Sequence, residues 1–326
     1  MRVLSTLRLH DNGGVLSVKW SPNGSNICSS SIPLILWNSR SGKIDSRLSG
    51  HNCLLLCVAY SPDGSRIASG SFDNSVIIWS VSTGKVILQF KGHSGWVQGV
   101  CWSPDSSKIF SGGKGSLNDR DPGDMFVWDS NTGERLLRLE GHTNLVLCTS
   151  WSPDGKFLVS GANKELFMWD SVTGKRVLEM LEHVSVIKSV CFSPDGSCIL
   201  SGCWDKTIIV WSAKTGGRQR TLIGHSGGVL SVDWCSDGTK IVSCGHSGTC
   251  ASLGEIFVWM AADGKLLVQL KNLPGVARSV CWSPDCSKIA SSSETGFVRI
   301  WALDMIAGGE EDGMKQIDRE KVRQTD

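Results

Sequence analysis

Short apolar stretches alternate with polar turns along almost the whole chain. GVLSVKW (14–20) ends in an aromatic residue and runs into SPNG. Later segments supply three further kinds of stretch, KFLVSG (156–161), SVIIW (75–79) and KVILQF (85–90). Each is four to eight residues long and bounded by Gly, Ser, Asp or Pro, which predicts strands joined by hairpins. In the SPDG turns, Pro presets φ at the second position, Asp bonds its own backbone and Gly takes positive φ. Nothing between the strands has the length and period of a helix.

The pattern is one unit copied seven times. Its turn begins with Ser21, Ser61, Ser103, Ser152, Ser193 and Ser283, with Cys235 in the sixth unit, so the spacings are 40, 42, 49, 41, 42 and 48 residues. That is the length of a four-stranded propeller blade. With GH at 50–51, 92–93, 141–142 and 224–225 and WD at 128–129 and 169–170, the chain resembles the WD40 repeat family over residues 3 to 303. The resemblance implies an all-β, seven-bladed β-propeller. The seventh unit lacks a fourth strand, and RVLSTLRLH (2–10) resembles ERLLRLEGH (134–142), so the N-terminal strand is expected to close the last blade. Residues 1–303 are read as the propeller and 304–326 as a polar, flexible tail with seven acidic and four basic residues.

Composition narrows the function. There are 33 Lys+Arg against 31 Asp+Glu, which argues against nonspecific binding to nucleic acid or acidic membranes. The longest apolar run, Cys53 to Tyr60, is too short to span a membrane as a helix. No secretory signal is read at the start, and the 13 cysteines are read as free thiols of an intracellular protein, cytoplasmic or nuclear. The 14 Trp against one Tyr have a repeat explanation: seven end third strands, five end first strands, and only Trp96 and Trp204 fall outside these places.

His, Ser and Asp recur together, as His51, Ser69, Asp73 with Trp79, and His183, Ser201, Asp205 with Trp211. A hydrolase triad would occur once, whereas these sets follow the blade period. The resemblance implies structural tetrads in which Asp bonds His and a Ser hydroxyl bridges His to the indole. His10, His93, His142 and His225 pair with Ser29, Ser111, Ser160 and Ser243, but their Asp is missing or displaced. Asn163 is the candidate substitute in unit four, and these blades are expected to rely more on packing.

The two long units carry insertions at 112–124 and 244–255, on what the resemblance makes the top face. Cys244, His246 and Cys250 suggest zinc, with Glu255 the nearby fourth ligand, but C-x-H-x₃-C is no standard pairing. No cofactor, metal or catalytic residue is therefore expected. By the same resemblance, Phe72, Trp96, Trp204 and Arg120 lie on the top face. Leu56, Gln98, Leu147, Lys188, Leu230 and Arg278 lie near the channel mouth. The expected function is a non-enzymatic scaffold or adaptor, a monomeric propeller within a complex, that binds a peptide or protein segment there. The alternative is a propeller enzyme or metal-binding protein using the 244–255 loop.

Overall fold

A computed structural model of the chain describes residues 1–8, 13–115 and 122–303. His10, Asp119, Arg120, Asp121 and the 304–326 tail lie outside the described residues. Within them, 28 strands form seven antiparallel sheets of four, with no helix. Blade 2 shows the plan, with Leu55–Tyr60 innermost, then Arg66–Ser71, Ser75–Ser80 and Val86–Lys91 at the rim. The outer strands alternate exposed and half-buried positions, whereas the second and third strands are buried on both faces. The apolar core is divided into layers between adjacent sheets. Between blades 3 and 4, for example, Phe110 and Val127 meet Trp151 and Leu158.

The closure is the one expected. The strand Arg2–Arg8 pairs antiparallel with Phe297–Ala302, from Arg2↔Ala302 to Arg8↔Phe297, and so supplies the rim of blade 7. The ring therefore joins the first residues to the last blade and covers a sheet edge that would otherwise be open.

Each SPDG turn is locked by its own side chains. In blade 2, Ser61 Oγ donates to Asp63 Oδ1 at 2.6 Å and accepts from Arg66 N at 2.9 Å, while Gly64 sits at φ +72°. Successive strands are antiparallel, so second-to-third connections and the loops entering the next blade share one face, the top. The SPDG turns open on the other face, the bottom. The 244–255 insertion is mostly hairpin, since its flanking strands run on to His246 and restart at Leu253.

Candidate interaction face

A buried hydrogen-bond relay holds the top loops in register. In all seven blades the third-strand indole donates to the second-strand Ser at 2.7–2.9 Å, from Trp37 to Ser29 through Trp301 to Ser291. In blades 2 to 6 the same Ser meets His Nε2 at 2.7–2.8 Å. An indole N–H can only donate and a carboxylate can only accept, so where an acid faces the ring the hydroxyl accepts from Trp and donates to Nε2. Nδ1 then carries the proton and faces the acid.

Blades 2 and 5 take that acid from the turn after the second strand. His51 Nδ1 lies 2.8 Å from Asp73 Oδ2, and His183 Nδ1 lies 2.8 Å from Asp205 Oδ2. Asp73 also accepts from Asn52 N at 3.1 Å and Ser75 Oγ at 2.6 Å. Burial alone would raise its pKa, but the hydrogen bonds from Ser75 and His51 hold it below the usual carboxylate range. Thr207 plays the part of Ser75 in blade 5, donating to Asp205 at 2.5 Å.

Blades 4 and 6 differ from the sequence expectation. Glu165, not Asn163, takes the acid's place, with Oε2 3.0 Å from His142 Nδ1. Glu255 does the same at 3.2 Å from His225 Nδ1. Each also accepts from the backbone and hydroxyl of the next residue, Thr143 or Ser226. Both glutamates stand four residues before the third-strand Trp, where blade 2 has Ser75 and blade 5 has Thr207. The signal in the sequence is an acid at that offset, two residues beyond the place that Asp73 and Asp205 hold in blades 2 and 5. Networks in these blades are complete, so they do not rest on packing alone. The bond from His142 holds Glu165 down at about 2.

Blade 3 has Asp124 at that same offset, and it falls short. It accepts from Ser94 N at 2.9 Å and from Ser94 Oγ, but His93 Nδ1 is buried with no partner. Burial pushes His93 down to about 4, against the opposing pull of Asp124.

The inner strands surround a central cavity of about 390 Å³ that Leu56, Gln98, Leu147, Lys188, Leu230 and Arg278 line together with Phe72. Arg278 Nη2 pairs with Glu294 at 2.9 Å, and its Nε is buried without a partner. Burial lowers the Lys188 ammonium, and the nearby Arg278 charge lowers it further. Beside the cavity, the Phe72 and Trp96 rings meet at 4.4 Å, with Lys114 Nζ 5.0 Å over the Trp96 ring. Trp204 stands apart at 47% exposure, its ring 5.3 Å from His246. Phe72, Trp96 and Trp204 are held by top-face backbone bonds, with Phe72 N on Leu54 O and Trp204 N on Val186 O.

The zinc candidates of the sixth insertion do not converge. Cys244 is buried and donates to Ala277 O at 3.2 Å, His246 Nε2 accepts from Gly228 N at 3.0 Å, and Glu255 is committed to His225. Cys250 is exposed at the hairpin tip. Of the described residues, two other groups do bring ligand atoms together: His183, Cys203 and Asp205, which belong to the blade 5 network, and Cys235, Asp237 and Cys286 on the bottom. All 13 cysteines are free, and no helix among the described residues is long and apolar enough to cross a membrane.

Comparison with known proteins agrees with this geometry. The chain is 40% identical over 53 residues to an Arabidopsis thaliana WD repeat-containing protein 26 homolog, covering 16% of this chain and 9% of that protein. It is 35% identical over 78 residues to a human intraflagellar transport protein 122 homolog, covering 24% of this chain and 6% of that protein. The mouse homolog of the latter is 33% identical over 78 residues, again 24% of this chain and 7% of that protein. The chain thus spans under a tenth of the length of each of these relatives. The WD domain, G-beta repeat, matches seven segments, 1–32, 42–80, 84–119, 133–170, 174–212, 216–251 and 267–302, and this chain belongs to the WD40 family.

Proposed function

We propose that the chain is a non-enzymatic interaction scaffold that docks a peptide or protein segment on its top face. The observation that carries this reading is the exposure of Trp204 on the top face, together with the Phe72–Trp96 pair beside the central cavity. Neither Trp is required by the blade plan, and large aromatics at a rigid concave face are the usual anchors of protein interfaces. Family membership supports a scaffolding role in general and names no partner.

Affinity capture from the native cell, read by mass spectrometry, tests it. Phe72→Ala, Trp96→Ala and Trp204→Ala should each weaken capture about tenfold, a loss of roughly 1.4 kcal/mol. Trp204→Ala should leave the thermal melt within about 0.5 kcal/mol of the parent, because its side chain is half exposed. Unaltered capture by all three variants refutes the assigned face.

A further inference from the structure

The bottom turns repeat one arrangement, and the junction of blades 6 and 7 departs from it twice. The turn opens with Ser in six blades and with Cys235 in blade 6. Its fourth place is Gly24, Gly64, Gly155, Gly196 or Gly238 in five blades, Ser106 in blade 3 and Cys286 in blade 7. Cys286 takes φ +57° there, as Ser106 takes +60°. Two soft donors have entered a plan otherwise built from hydroxyls and hydrogen, and the fold brings them together.

The junction of blades 2 and 3 shows what the place holds without sulfur. Ser61 Oγ donates to Asp63 Oδ1 at 2.6 Å, and Asp63 N donates to Ser106 Oγ at 3.3 Å. At blades 6 and 7 the corresponding residues are Cys235, Asp237 and Cys286. Cys235 Sγ lies 2.6 Å from Asp237 Oδ1, and the ligand atoms of all three lie within 4.8 Å of one another. Ser236 Oγ touches Cys286 Sγ at 3.1 Å and donates to Pro284 O at 2.7 Å, which ties the two turns to each other. Cys235 is buried, Cys286 half-buried and Asp237 exposed, so the group opens to solvent on one side.

We infer that Cys235, Asp237 and Cys286 bind a zinc-class divalent cation between blades 6 and 7. Two thiolates and a carboxylate oxygen are a donor set that zinc accepts, and soft sulfur ligands select against magnesium and calcium. Zn–S bonds of about 2.3 Å place tetrahedral ligands about 3.7 Å apart, a separation these atoms reach with small side-chain movements. The fourth position falls on the open side and takes a water. Binding releases one proton from each thiol to solvent and leaves the carboxylate as it is. The ion would bridge blade 6 to blade 7, the blade that the N-terminal strand closes.

Cobalt(II) is the probe, added to the full chain under reducing conditions. The expected result is one metal per chain, with a thiolate-to-cobalt charge-transfer band that zinc abolishes by displacement. Cys235→Ser and Cys286→Gly restore residues that the other blades carry, so both variants should fold and melt like the parent in chelator. Each should lose the band, and zinc should raise the melting temperature of the parent only. The inference is overturned if the parent takes up no cobalt, if both variants keep the band at the parent's stoichiometry, or if the two thiols are found joined as a disulfide that takes up no metal.

Discussion

Blades 3 and 4 place a carboxylate at the same point of the repeat, four residues before the third-strand Trp, and differ there by one methylene. Glu165 reaches His142 Nδ1 at 3.0 Å while holding the backbone and hydroxyl of Thr143. Asp124 holds Ser94 in the same two ways, and His93 Nδ1 is left buried and unpaired. Blade 2 reaches the same end by another route, with the shorter Asp73 brought closer by the turn and steadied by Ser75. Side-chain length and loop position are therefore exchangeable. A short acid works from the turn, a long one works from the strand, and a short one on the strand fails.

The largest effect should come from breaking a complete network. Asp73→Ala strips His51 Nδ1, Asn52 N and Ser75 Oγ of their acceptor at once. Asn52 N is exposed and turns to water, and His51 Nδ1 keeps Ser75 Oγ at 3.3 Å, so with buried unpaired donors costing about 1–3 kcal/mol each a loss of about 2–3 kcal/mol in denaturant unfolding is expected. A loss below 1 kcal/mol would show that solvent replaces the carboxylate freely. Next in size, Glu165→Asp should copy the blade 3 defect into blade 4. Thr143 keeps its acceptor and His142 Nδ1 loses one, for about 1–2 kcal/mol. An equal loss for Glu165→Ala would mean that the His bond alone carries the effect, and no loss for Glu165→Asp would mean that reach is irrelevant.

Legibility in the sequence followed the same division between backbone and reach. The seven units, the strand-ending Trp residues and the N-terminal closure could be read because they depend on period and turn residues, which a single chain displays. The Asp73 and Asp205 networks were legible for that reason too. Glu165 and Glu255 were not, because their role depends on how far a side chain reaches back from a strand, which period and turn residues do not display. Asn163 stood in the expected place, one residue after Ala162, but the blade 4 turn is a residue shorter than that of blade 2, and its acid moves to the strand. Likewise the Ser- and Gly-rich 244–255 segment reads as a loop by composition, yet pairing continues from Gly245↔Glu255 to His246↔Gly254. The cavity-lining residues converge because they share one offset on successive inner strands, which is again a matter of period.

The smallest effect has the opposite sign. Asp124→Glu should supply the missing methylene, keep Ser94 as Glu165 keeps Thr143, and give His93 Nδ1 its acceptor. A gain of about 1 kcal/mol at neutral pH is expected. The change should be clearer in acid. His93 takes up a proton in the unfolded chain near its ordinary value of 6.5, but in the fold only near 4. The unfolded state therefore binds more protons between these values. Stability from this residue is full above 6.5 and falls as the pH drops toward 4, by up to about 1.4 kcal/mol per pH unit. A carboxylate against Nδ1 favours the protonated ring and raises the folded value, as Glu165 and Glu255 do in opposing the burial of His142 and His225. Unfolding free energies of parent and variant, measured from pH 7 to pH 4, should diverge as the acid is added, with the variant falling less steeply. Parallel curves would mean that the new carboxylate never reaches the ring, and that the defect of blade 3 lies in its backbone rather than in one missing methylene.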